Sequence, residues 1–217
     1  MTRYYDKNRS LVVNLFNCLM TNKTFYFVYF AVAAYISLIT NDLKRGMFTI
    51  AFMVIFSYFS HMAGHKLYPI SLFHGLHHKE EHNHKWWARI VEWLVNLIQI
   101  GGIFLIPINL YIEKHTSLGT QILNNYVLLY AALVYTTHHM INYHIMKIDT
   151  HIRHHNDTST NFGPDYMDVL FGTKQHNSTF EEMEQSITNS LVIGSVIICI
   201  ITYMKNKNLD SFSKIFM

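Results

Sequence analysis

The sequence predicts an all-α integral membrane protein with four transmembrane helices, or five if the last apolar stretch also spans, and a histidine-rich cytosolic helical cap. Three observations predict it. Half of the 217 residues are hydrophobic and only 14% are charged, where a soluble domain usually carries about 25%. Apolar runs without a Lys, Arg, Asp or Glu recur along the chain, each close to the roughly 20 residues that cross a bilayer. Fifteen histidines are present, and most of them fall in four tight clusters.

The apolar runs set the order of elements. Residues 24–40 (TFYFVYFAVAAYISLIT) and 47–63 (MFTIAFMVIFSYFSHMA) flank the short break NDLKRG, which reads as the turn of a helical hairpin. Residues 93–112 form a third span, which Gly101-Gly102 and Pro107 predict to be kinked. Residues 121–141 form a fourth, ending in the third histidine cluster. Residues 187–204 form a fifth stretch, which can span, lie in the interface or pack as a half-inserted hairpin. The segment 66–92 is polar and rich in histidine and aromatic residues, which suits a helical cap on the membrane surface. Trp86, Trp87 and Trp93 mark the headgroup level there. The chain divides into an N-terminal cytosolic segment (1–23), a catalytic membrane domain (24–186) and a C-terminal apolar helix and tail (187–217).

Charge gives the orientation. Eleven of the seventeen Lys and Arg lie in residues 1–23, 61–92 and 142–186, and the loops NDLKRG and EKHTSLGT hold three. By the positive-inside rule the histidine side faces the cytoplasm. A spanning last stretch would leave Lys205, Lys207 and Lys214 on the other side, against that rule. The net charge of +3 is too weak to argue for nucleic acid. Cys18 and Cys199 form neither a metal-spaced pair nor a disulfide framework. The N-terminal MTRYYDKNRS lacks the apolar core of a signal peptide.

The histidine clusters carry the chemistry. His61 and His65 form HxxxH; His74, His77 and His78 form HxxHH; His138, His139 and His144 lie in HHMINYH; His151, His154 and His155 form a second HxxHH. On a helix, positions i, i+3 and i+4 share a face, so the HxxxH pair and each HxxHH triplet can aim at one target. Imidazole is the commonest metal ligand in proteins. Ten ligands drawn from these eleven histidines exceed the four of a zinc site and the one or two axial ligands of a haem. A dinuclear centre with four or five imidazoles per ion fits the count. At a membrane face it points to oxygen chemistry on a lipid, with iron the usual metal for unreactive carbon–hydrogen bonds.

The pieces HMAGH, HGLHHK, HHMINYH and HIRHHN, followed by NFGPDYMDVLFGT, resemble the fatty acid hydroxylase / sterol desaturase superfamily of integral membrane di-iron oxygenases. The resemblance covers roughly residues 25–175, and HGLHHK is similar to the piece in fatty acid 2-hydroxylases. It implies a four-helix transmembrane base under a cytosolic cap and two iron ions. Zinc is a substitute on overexpression, because it outcompetes Fe(II) at nitrogen sites. It also implies O2 as co-substrate and a membrane lipid as substrate: a fatty acyl chain, a ceramide or a sterol, hydroxylated or desaturated. Electrons would come from cytochrome b5 or a ferredoxin-type protein, separate because neither end holds a further domain's worth of sequence. In a eukaryotic cell the implied location is the endoplasmic reticulum membrane.

Carried over by residue, the resemblance implies metal ligation by His61, His65, His74, His77, His78, His151, His154 and His155. The third box departs from the family's HxxxH or HxxxHH. Asn142 stands four residues after His138, and His144 stands six after it, about 240° around a regular helix. The helix breaks after Met140, or Asn142 is a ligand, or His139 replaces His138. The preferred reading takes His138 and His144 as ligands, with the backbone leaving helical geometry between Ile141 and His144 and His139 facing neighbouring packing. His82 and His84 read as solvated cap residues, and His115 and His176 as incidental. In NFGPDYMDVLFGT, Gly163, Pro164, Asp165, Asp168 and Gly172 read as tight turns and a capped helix. Asp165, Asp168 or Asp149 could also accept the outer N–H of a ligating imidazole. Glu80, Glu81 and the acidic run at 181–184 read as solvated faces. Two other classes stand beside the enzyme. One is a metal transporter, whose histidines would line the spans rather than their ends. The other is a degenerate member that keeps its metal as a structural clasp.

Overall fold

The computed structural model describes residues 4–76, 78, 85–116 and 120–207. All the regular elements among them are helical: α1 (Leu11–Thr21), α2 (Lys23–Ile39), α3 (Leu43–Lys66), α4 (Ile70–His74), α5 (Trp86–Val95), α6 (Leu105–His115), α7 (Asn125–Met140), α8 (Asp149–Asn156), α9 (Asp165–Phe171) and α10 (Ser186–Asn206). Two π-helical turns, Asn96–Ile100 and Ile141–Met146, extend α5 and α7.

Helices α2, α3, α7 and α10 form a bundle around Phe25, Ile36, Ile50, Leu128, Tyr130 and Ile197. α2 and α3 are the expected hairpin. Asn41 adopts a positive φ of 58° in the turn, and Asp42 N–H closes it by donating to Ser37 O at 2.9 Å. Gly46 is required where the two helices touch, because a Cβ there would stand 1.8 Å from Ser37 Oγ. The opposite end, away from the histidine clusters, is held by asparagines. Asn109 Oδ1 accepts from the backbone N–H groups of Ile122 and Leu123. The Asn124 side chain caps α7 by accepting from Tyr126 and Val127 and donates to Thr40 Oγ1. Residues 121–124 of the fourth apolar run are therefore this capping turn rather than helix.

α10 settles into the bundle along its full length. Its buried residues Ser186, Ser190, Gly194, Ile197, Ile201 and Met204 recur at three- and four-residue steps, so they form one face. Ser186 meets His138 at one end, and Lys205 reaches Ile39 O at the other. The last stretch thus runs beside α2 and α7 from the histidine end to the hairpin end, and it is neither a half-inserted hairpin nor a helix lying across the bundle.

Among the described residues, three helical stretches are long and apolar enough to cross a membrane: Leu43–Lys66, Trp86–His115 and Ser186–Asn206. A fourth arises if α1 and α2, bent by 73°, count as one. α7, expected as a span, is not among them. Ten of its sixteen residues are buried, including Asn125, Thr136, His138 and His139. A helix surrounded by other helices can carry such polar groups when they find partners there. The third span is interrupted as its sequence predicts. Gly102 takes a φ of 70° between the π turn and α6, and Pro107 sits in the first turn of α6, where its missing N–H costs little.

α1 bends away at Asn22 and packs across the histidine end against α9, through Cys18, Val169 and Phe180. The bend is fixed by the buried Asn22 side chain. It donates to Glu181 O at 2.7 Å and accepts from Met183 N at 2.8 Å.

Gly46→Ala is expected to destabilise the fold by about 1–3 kcal/mol, the usual cost of overpacking. A lower melting temperature in detergent with unchanged metal content would show it, because Gly46 lies at the end remote from the histidines.

Candidate metal centre

The last turns of α3 present His61 and His65 one helical turn apart. Leu67–Pro69 then reverses the chain, so that α4 brings His74 against the same place. Gly64, between the two α3 histidines, makes room for it: a Cβ there would lie 3.1 Å from the His74 ring. α8 enters from the other side with His151, His154 and His155.

His61, His65, His74 and His154 form one group, with a ring nitrogen from each lying within 4.8 Å of the others. His65 Nε2 is 3.0 Å from both His154 Nε2 and His74 Nε2. Two of the tautomers are set by the backbone. His61 Nδ1–H donates to Phe162 O and His154 Nδ1–H to Thr160 O, each at 2.6 Å. Their Nε2 lone pairs are thereby turned inward, the arrangement that metal-ligating imidazoles adopt. His61 Nε2 is buried and takes no hydrogen bond. A convergent set of neutral imidazoles with a bare inward lone pair fits a metal ion, and such a donor set suits iron, copper or zinc.

The remaining box histidines adjoin this group. The His78 ring is 4.7 Å from that of His65 and stacks on His155 at 4.1 Å. His155 Nε2 is 3.1 Å from His151 Nε2, and the His139 ring is 4.4 Å from that of His151. Tyr143 stacks on the outer face of His155 at 4.1 Å. Burial holds the α8 rings neutral, lowering His154 to about 4 and His155 to about 3. It lowers His74, His78 and His151 as well. His77, together with His82, His84, Glu80 and Glu81, lies outside the described residues.

The third box is arranged differently from the preferred reading. His139, not His138, turns toward the α8 histidines. His138 Nδ1 lies 2.5 Å from Ser186 Oγ on α10, and its Nε2 lies 3.0 Å from Asn142 Nδ2. Neighbouring residues on a helix point about 100° apart, so only one of the two can face α8. The backbone does leave α-helical geometry at Ile141, but by widening into a π turn rather than by breaking. His139 and His144, five residues apart, would be about 140° apart on an α-helix. With the wider turn, both reach the carboxylate of Glu92. Asn142, one alternative ligand, faces away and hydrogen-bonds Glu181 and Gln185.

Among the described residues, these three aspartates take no imidazole N–H group; those of His61 and His154 go to backbone carbonyls instead. Asp168 acts one step back: it accepts from Phe162 N, Gly163 N and Thr173 Oγ1 at 2.7–2.9 Å and so fixes the loop that offers Phe162 O to His61. Asp165 pairs with the buried Lys174 at 2.7 Å. Asp149 pairs with Arg153 on the surface. Gly172 ends α9 with a φ of 71°. Glu181 was expected in solvent, but only 14% of its side chain is exposed; burial pushes its carboxyl up, and His138, the Asn142 hydrogen bond and Lys174 together outweigh that and lower it to about 2. His176 accepts from Lys7 N, and His115 packs on Tyr111. Glu92 was missed altogether. The signal for it was a lone acidic residue at the mouth of an apolar run, a position that is rarely incidental.

A cavity of about 100 Å³ opens onto this centre. Phe25, Tyr29, Phe30, Met53 and Val134 make its apolar wall, and His61, His139 and His151 line its histidine end.

Among comparisons with known proteins, the Fatty acid hydroxylase family model matches residues 46–173, more than half of the chain, and the chain belongs to that family. No curated protein and no solved structure matches it.

Two outcomes test this geometry. His139→Ala is expected to lower metal content, whereas His138→Ala should leave it near that of the parent, as read by elemental analysis of the purified chains. The metal-free protein should also lose stability as pH falls from about 6.5 to about 4. The unfolded histidines take up protons in that window and the buried His154 does not, so protonation favours unfolding. Melting curves across that pH range would show it.

Proposed function

We propose that this member of the fatty acid hydroxylase family hydroxylates or desaturates a membrane lipid, using O2 and two iron ions. The observation that carries the reading is the junction of an apolar cavity with a convergent set of buried imidazoles at one end of the helix bundle. The substrate classes it suits are a fatty acyl chain, a ceramide or a sterol. Bound iron would supply the oxidising power for an unreactive carbon–hydrogen bond.

The chain's own residues do the rest. His61, His65, His74 and His154 would hold one ion, and His78, His139, His151 and His155 provide donors beside them for a second. His77 belongs with them by its place in the second box. The carbonyls of Thr160 and Phe162 keep two of these rings in one tautomer and one orientation. Phe25, Tyr29, Phe30 and Met53 exclude water and guide an apolar chain toward His61 and His139. Electrons would come from a separate cytochrome b5 or ferredoxin. The proposed setting is the endoplasmic reticulum membrane of a eukaryotic cell, with the histidine end toward the cytoplasm, where most of the Lys and Arg lie.

A degenerate member that keeps metal as a clasp is the second reading, favoured by His138 facing Ser186 instead of the cluster. Lipid profiles of cells with and without the protein separate the two. The enzyme is expected to give a lipid with one added oxygen, or one lacking two hydrogens, and His154→Ala should abolish that product. An unchanged lipid profile with metal-loaded protein present would favour the clasp.

A further inference from the structure

Helix α1 carries its polarity inside out. Asn14, Asn17 and Cys18 are its buried residues, and the Asn14 side chain donates to Asp6 O at 2.8 Å. Val12, Phe16 and Leu19 follow one another at four- and three-residue steps, so they form one stripe. That stripe is exposed, Val12 to 74% and Phe16 to 56%, and Leu11 and Val13 are exposed on either side of its first residue. A helix on a water-facing surface has the opposite arrangement, with apolar residues against the core and polar ones outward.

Orientation and charge point to the same surroundings. α1 is bent by 73° from α2, and α2 runs along the bundle from the histidine end to the hairpin. α1 therefore lies nearly across the bundle axis, close to the plane of a membrane that the bundle spans. Its neighbours belong to the lipid-facing surface. α1 packs on α9, whose Leu170 and Phe171 are exposed, and the Phe171 ring stands 5.2 Å from that of Phe59, exposed on α3. Lys7 and Arg9 stand just before α1 and Lys23 just after it, against one acid, Asp6, over residues 4–23. An apolar stripe flanked by basic groups is the pattern of a helix seated between headgroups and acyl chains. Tryptophan favours the same level, and Trp86 and Trp93 are exposed on α5, whose Glu92 meets His144 at the histidine end.

We propose that α1 is an in-plane membrane helix. Val12, Phe16 and Leu19 enter the acyl region of the leaflet on the histidine side, and Lys7, Arg9 and Lys23 meet its headgroup phosphates. Residues 11–21, expected within a cytosolic segment, then belong to the membrane-bound body and seat the histidine end at headgroup depth. The inference goes beyond the lipid-oxidation reading and is tested without any turnover.

The test uses the full chain in vesicles of phosphatidylcholine and phosphatidylserine. Cys199→Ala removes the exposed thiol, and Cys18 is buried, so a nitroxide label goes to one added cysteine: Val12→Cys, Phe16→Cys, Leu19→Cys or, before the helix, Asn8→Cys. O2 concentrates in hydrocarbon and a nickel chelate stays in water, so the ratio of their collisions with the label reads its depth. Labels at Val12, Phe16 and Leu19 are expected to favour O2 several-fold more than the label at Asn8, with Val12 and Leu19 at equal depth. Preference for the nickel chelate at all four positions would place α1 in water and overturn the proposal. So would a depth that rises steadily from Val12 to Leu19, the mark of a helix entering the membrane end-on. Labels shielded from both reagents, the mark of a second copy of the chain on this face, would overturn it as well. Should one stripe variant fail to fold, the other two decide.

Discussion

Two backbone carbonyls govern the centre. An imidazole offers a metal only the nitrogen that lacks a proton, and the choice between its nitrogens follows from what the other one donates to. Thr160 O and Phe162 O take the Nδ1 protons of His154 and His61, so both Nε2 lone pairs face inward. The loop that carries these carbonyls is itself held by Asp168 through two backbone N–H groups and Thr173. Thr173 also meets Tyr58 of α3 at 2.7 Å, one turn before His61. The helix that brings His61 and the loop that orients it are thus tied to each other by the same few hydrogen bonds.

The bundle separates stability from chemistry along its length. One end is closed by Asn109, Asn124 and the α2–α3 turn, which satisfy the backbone where helices begin and end. The other end gathers the histidines. Between them, close packing depends on small residues at crossings, with Gly46 against Ser37 and Gly194 against Val32. α7 occupies the middle and can carry polar residues because Ser186, Ser190 and Asn189 of α10 pair with them. The outer helices keep apolar side chains such as Phe27, Ile55, Ile108 and Val196 exposed, as a lipid-facing surface requires.

Four acidic residues at the histidine end fall into two roles. Asp165 and Asp168 are spent on the loop and on Lys174, away from the ring nitrogens. Glu92 and Glu181 instead face histidines of the third box, from opposite sides of α7. His139 and His144 share Glu92, and His138 has Glu181 and Asn142. Adjacent histidines in one box thereby enter separate electrostatic surroundings, one joined to the imidazole cluster and one to the start of α10.

Much was legible from local pattern. Charge-free runs and the break NDLKRG announced the hairpin, and Gly101-Gly102 announced the interrupted third stretch. The i, i+3 and i+4 spacings announced histidine faces, because helical periodicity is a property of neighbouring residues. What only the tertiary structure decided depends on partners far away in sequence. Whether His138 or His139 faces the cluster depends on the rotation of α7 against α8 and α10. The π turn after Met140 changes the angular count that made His144 look misplaced. The tautomer of His61 depends on a carbonyl 101 residues away. Glu92 reads as one charge at a helix start until α5 and α7 pack together and its carboxylate meets two histidines. Periodicity specifies which residues share a face, and packing alone specifies what that face meets.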